Sequence, residues 1–117
     1  MDPILVITNF PDKTTALELA EELINKKLAA CVNLQAECTS IYRWQDKIES
    51  TSELPVCIKT LTKHYPEIER IIKEKHPDEL PEIISVSING GLPAYLQWLS
   101  DKQRHQTKTK YTGLLCI

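Results

Sequence analysis

The sequence predicts an α+β domain of the split β-α-β, ferredoxin-like kind, and three observations carry the prediction. Apolar or alternating runs of strand length are separated by two stretches with helical periodicity. Their order along the chain reads β-α-β-β-α-β-α. The two middle strands, between Ala29 and Thr60, are joined by a tight turn and run far longer than the others, as a two-stranded β-ribbon. Right-handed crossovers then put both main helices on one face of a four-stranded antiparallel sheet.

Residues 3–10 (Pro-Ile-Leu-Val-Ile-Thr-Asn-Phe) form a continuous apolar run suited to a central strand. Pro11-Asp12 breaks it, and Asp12 is a candidate N-cap whose carboxylate accepts from a free helix N–H. Ala16, Leu19, Ala20, Leu23 and Ile24 recur at helical spacing, so the first helix is expected over 13–27. Glu18, Glu21 and Glu22 early and Lys26 and Lys27 late suit the helix dipole. Residues 28–45 have no helical period, and Cys31, Val32, Thr39, Ile41, Tyr42 and Trp44 favour strand. Gln45-Asp46-Lys47 is the expected tight turn, and 48–60 return as strand. Pro55 has no N–H for a ladder, so the sequence places it on an edge or at a bulge.

Thr62 to His76 is the second expected helix, with Pro66 in its first turn and Tyr65, Ile68, Ile71 and Ile72 as its apolar stripe. Pro77 ends it, since the residue before proline leaves the α region. His76 to Pro81 is a rigid polar connector. Residues 82–89 alternate Ile84, Val86 and Ile88 against Ser85, Ser87 and Asn89, a half-buried strand. Gly90-Gly91 turns the chain, and Pro93 opens a short third helix with Tyr95, Trp98 and Leu99 on one face. Residues 1–101 form the domain. Residues 102–117 read as a basic, solvated tail, within which Tyr111 to Ile117 is mildly apolar.

At 117 residues, 42% hydrophobic and 26% charged, the chain suits one soluble domain with a modest core. No apolar run approaches the ~20 residues of a membrane helix, so no membrane partner is expected. The start, Met1-Asp2-Pro3, lacks the pattern of a signal peptide, which predicts a cytoplasmic protein. The tail holds four basic residues and no acid, leaving 10 basic against 16 acidic residues in 1–101, a charge of −6. So acidic a body disfavours nucleic acid, whose phosphates need clustered Lys and Arg, and attracts cations instead. The four cysteines, Cys31, Cys38, Cys57 and Cys116, form no C-x-x-C pair. Cys31 and Cys57 are either buried small hydrophobes or soft-metal ligands.

An arm as long as the ribbon reaches ~50 Å if straight, at about 3.3 Å per residue. A domain of this size has a radius of gyration near 13 Å and cannot cover it. Ile41, Tyr42, Trp44 and Ile48 make the distal half apolar, so a second subunit is the simplest cover.

Ala29-Ala30-Cys31-Val32-Asn33, Ser40 to Glu49 (Ser-Ile-Tyr-Arg-Trp-Gln-Asp-Lys-Ile-Glu), Ile58-Lys59-Thr60, His76-Pro77 with Pro81-Glu82-Ile83, and Tyr95-Leu96-Gln97-Trp98-Leu99 together resemble the CutA family of divalent-cation tolerance proteins. The resemblance runs from about residue 4 to 101 in the family's order and spacing. It implies a ferredoxin-like fold, assembly as a homotrimer through the ribbon, and a link to divalent metals, copper foremost. Copper ligation in the family is associated with a cysteine near the end of the first strand and a His-His pair before the proline. Here those positions hold Thr8 and Lys75-His76, so only His76 matches.

Three chemistries follow. The first is binding of Cu(II) or another divalent cation by His76, Glu79 and Glu82, with Asp78 beside them and Cys31 or Cys57 if thiols converge. The bland alternative makes His76 a helix-terminal residue complementing the dipole. The second is a small ligand between subunits of a trimeric sensor, in a cleft lined by Tyr42, Trp44, Glu53 and Lys59, by fold-level analogy with the nitrogen-regulatory PII proteins. Its bland alternative makes Tyr42 and Trp44 assembly anchors. The third, an acylphosphatase-like enzyme, is disfavoured. The sequence has no Gly-rich phosphate loop, no G-x-S-x-G and no evident Ser/His/Asp set, so no catalytic residue is expected. A scaffold role toward another, unidentified protein also remains open.

Overall fold

In the computed structural model, residues 2–104 are described. The elements follow the expected order: β1 (Pro3–Phe10), α1 (Lys13–Asn25), β2 (Cys31–Leu34), β3 (Cys38–Trp44), β4 (Lys47–Leu61), α2 (Tyr65–Lys75), β5 (Ile83–Ser87) and α3 (Pro93–Asp101). Thr62–His64 form a 3-10 turn ahead of α2. The sheet runs β2-β4-β1-β5, with β3 paired to the distal part of β4. All these pairings are antiparallel.

Strand alternation builds the core. Ile4, Val6, Thr8 and Phe10 of β1 point to one face, and Val56, Ile58 and Thr60 of β4 join them there. Against that face pack Ala16, Leu19 and Leu23 of α1 and Ile68, Ile71 and Ile72 of α2. Each fully buried Leu or Ile contributes about 1.5–3 kcal/mol relative to exposure. Asp12 caps α1 by accepting from the Thr15 N–H at 2.8 Å. That backbone bond holds the Asp12 carboxyl below its usual range. Ile24, expected on the buried stripe, is 43% exposed. The helix ends two residues early, because Lys27 takes a left-handed conformation at φ 58.

The expected single strand over 28–45 is two segments, and Pro55 explains the break. The Gln35 N–H donates to the Pro55 carbonyl at 2.9 Å. In an antiparallel ladder a residue's N–H and C=O point the same way. The N–H that Pro55 lacks would therefore have pointed at this partner, and pairing lapses over 35–37. Pro55 is not on an edge, since β4 lies between β2 and β1. The interruption sits in its neighbour.

The sheet's second face is half covered. Trp98 and Leu99 of α3 pack there with Cys31 and Leu61. Ile84 and Val86, opposite Ile7 and Leu5 of β1, are left about half exposed. Gln103, assigned by sequence to the tail, is buried. Its Nε2 donates to the Leu99 carbonyl at 2.8 Å and its Oε1 lies 2.9 Å from Thr60 Oγ1. The rest of that tail, including Tyr111 to Ile117, lies outside the described residues.

Candidate functional site

β1 ends at Phe10, opposite Leu54. Beyond that point β4 has only β3 beside it, so the ribbon projects past the sheet and the described molecule is 51 Å long. The connector from His76 to Glu82 crosses the same end of the sheet on its way from α2 to β5. Ribbon and connector enclose a corner cavity of about 990 Å³. It is lined by residues 40–44, Glu49 and Glu53 on the ribbon side and by residues 76–80 and Glu82 on the connector side, with Asn9 at the base.

His76 anchors the connector. Its side chain is 3% exposed and its ring centroid lies 4.8 Å from that of Phe10. Nε2 is 2.6 Å from the Asn9 carbonyl, which can only accept, so Nε2 carries the proton. Nδ1 accepts from the Asp78 N–H at 3.0 Å. Both ring nitrogens are thus occupied, and no lone pair is left for a metal. The Asn9 side chain donates to Glu82 Oε1 at 3.0 Å, tying the far end of the connector to the same strand residue.

The residues expected to hold a metal do not make a ligand set within one chain. Glu79, Glu82 and Asp78 reach the cavity, but His76 is committed to the backbone. Cys31 pairs with Lys59, whereas Asn9 pairs with Pro55. Four residues along β4 separate the two positions by about 13 Å, and Cys31 lies under α3. Cys57 is partly buried and accepts from Gln35 Nε2 at 3.1 Å. Among the described residues no group of three or more His, Cys, Asp or Glu is placed to hold a metal ion. Copper needs several convergent N or S donors, and the single chain does not fit it.

Within one chain the residues expected to line a cleft between subunits divide. Tyr42, Trp44 and Glu53 share one wall of the cavity. Lys59 is not with them. It stands over the Tyr95 ring, 5.7 Å from its centroid, six residues along β4 from Glu53, a separation of about 20 Å. Ser40 donates to Glu53 at 2.6 Å and Tyr42 hydrogen-bonds Thr51 at 2.8 Å, which fixes the wall. Sequence reasoning missed Asn9, Ser40 and Glu49. Glu49 was recoverable: a two-residue turn at Gln45-Asp46 makes Trp44 face Lys47 and Tyr42 face Glu49. No short-range signal brings Asn9 to His76.

The ribbon has two distinct faces. Tyr42 and Glu49 are cross-strand partners on one side, while Ile41 with Ser50 and Arg43 with Ile48 alternate to the other, although Ile41 and Arg43 also border the cavity. Ile41 is 72% and Ile48 69% exposed.

Comparison with known proteins agrees with this fold. The family profile described as CutA1 divalent ion tolerance protein matches residues 4–102. The divalent-cation tolerance protein CutA of Thermus thermophilus is 38% identical over 101 residues, covering 86% of this chain and 97% of the relative. Protein CutA of Mus musculus is 40% identical over 89 residues, 76% of this chain; the match spans only half of the mouse protein's length. Among solved structures, CutA1 from the psychrotrophic bacterium Shewanella sp. SIB1 superimposes with a TM-score of 0.82 at 41% identity, covering 86% of this chain and 94% of that one.

Proposed function

The chain belongs to the family of CutA1 divalent ion tolerance proteins, and from that premise we propose that it works as a homotrimer in divalent-cation tolerance, assembled through its ribbon. The observation that carries this is the outer face of the ribbon, where Ile41 is 72% and Ile48 69% exposed. Exposed apolar ribbon with a free edge invites pairing with another chain. Ile84 and Val86 add a second uncovered apolar surface of the same chain, which gives the ribbon of a neighbour somewhere to dock. In this reading divalent cations are attracted by the acidic body, and no copper centre forms around His76. The full chain carrying Ile41→Glu and Ile48→Glu should sediment as a smaller species than the parent while keeping its far-UV circular dichroism. An unchanged sedimentation coefficient would remove the ribbon from the assembly.

One observation favours a second role within the same assembly. The corner cavity, at about 990 Å³, is at the upper end of the range for small-molecule pockets. A trimer that binds a small ligand beside each ribbon would act as a sensor.

A further inference from the structure

We infer that the corner cavity is a site for a small organic cation of the alkylammonium class, an assignment that rests on the sensor reading above. Tyr42 and Trp44 stand two residues apart on the inner face of the ribbon, so both rings address the same space. They are 43% and 38% exposed, which leaves ring surface open to a ligand. Aromatic faces attract cations, and a cation flanked by Trp and Tyr is held by the ring quadrupoles without direct hydrogen bonds.

The charge around these rings has the matching sign. Among the described residues five carboxylates line the cavity, against Arg43 as the one permanent cation. His76 is neutral in the hydrogen-bonded state described above. Two carboxylates are partly satisfied, Glu53 by Ser40 and Glu82 by Asn9. Glu49 and Glu79, one on each wall, have no hydrogen-bond or ion-pair partner among the described residues. An anionic ligand would meet repulsion on both sides, and a neutral one would leave the carboxylates uncompensated. A small hard metal ion would not use the aromatic wall, and the carboxylates are not grouped to coordinate one. A soft, bulky cation uses both features.

Ile48, on the opposite ribbon face, does not line the cavity, whereas Ile41 borders it, so assembly has to be read separately from ligand binding. Titration calorimetry of the full chain with tetramethylammonium chloride at low ionic strength tests the assignment. Saturable heat is expected, near one equivalent per chain, with none for neutral tert-butanol of similar shape. Glu49→Gln with Glu79→Gln should weaken binding by about tenfold or more, and Trp44→Leu should also weaken it. Light scattering on the same samples reads assembly independently, so loss of the oligomer is told apart from loss of the ligand. Non-saturable heat from an intact oligomer would overturn the assignment, as it would if a neighbouring subunit's side chain filled the corner. Equal binding of Mg²⁺ or of tert-butanol, or full affinity in the double glutamine variant, would overturn it as well.

Discussion

The imidazole of His76 lies against Phe10, donates from Nε2 to the Asn9 carbonyl and accepts the Asp78 N–H at Nδ1. Through these bonds one side chain joins the end of α2, the end of β1 and the start of the connector. Replacing it with Ala would remove a buried ring and leave the Asn9 carbonyl and Asp78 N–H without partners. The expected loss is about 2–3 kcal/mol in urea unfolding, with the heat of Cu²⁺ titration unchanged from the parent. A saturable Cu²⁺ signal that vanishes in His76→Ala would restore the ring as a ligand. Thr8, where the family resemblance expects a cysteine, makes the opposite case. It is fully buried, and its hydroxyl has no partner among the described residues. Thr8→Val keeps the branched shape and removes an unmet polar group, so it should raise stability by about 1 kcal/mol, read as a higher urea midpoint at constant slope. At this scale the sequence offered two readings of His76, metal ligand or helix-terminal residue, and the structure shows it as a hydrogen-bonded tie between β1 and the connector. Its chemistry is set by Asn9, 67 residues away in the chain, and no local pattern encodes that contact.

At the scale of elements, most of the fold was legible. Order, helix faces and the Asp12 cap follow from periodicity and polar punctuation, and β4 and α2 fall within a few residues of expectation. Two features were harder to read. Pro55 was recognised as a ladder-breaker, but its effect falls on the neighbouring strand, because the missing donor interrupts the partner at 35–37 and leaves β4 intact. The ribbon turn was placed to within one residue, since Lys47 already pairs with Trp44, but its strain was not visible. Gln45 and Asp46 have φ of 51 and 65, the left-handed conformation that a two-residue hairpin turn demands. Glycine tolerates that region without a Cβ penalty, at some cost in unfolded-state entropy. Asp46→Gly should therefore stabilise the chain by about 0.5 kcal/mol, checked by urea unfolding. A loss of stability would mean that the Asp46 side chain makes a contact the turn depends on.

For the whole molecule, the sequence showed that the chain cannot cover itself, and the structure sharpens where. The described residues reach 51 Å along one axis and 26 and 25 Å along the others, an elongated shape for a domain of this size. Its exposed apolar side chains include Ile41 and Ile48 on the ribbon and Ile84 and Val86 on β5, besides Leu80 on the connector and Leu92 ahead of α3. The strand alternation of β5 was expected to bury Ile84 and Val86, and the single chain leaves them about half exposed. That mismatch supports the proposed assembly: the alternation suits a surface that a second chain would cover. The proposed stoichiometry rests on the family resemblance, since an exposed apolar face invites a partner without fixing how many. Multi-angle light scattering of the full chain at micromolar concentration is the direct measurement. A homotrimer predicts a mass about three times that of the 13.4 kDa chain, unchanged on dilution through the micromolar range. A folded, monodisperse monomer under the same conditions would contradict the assembly role given to the ribbon.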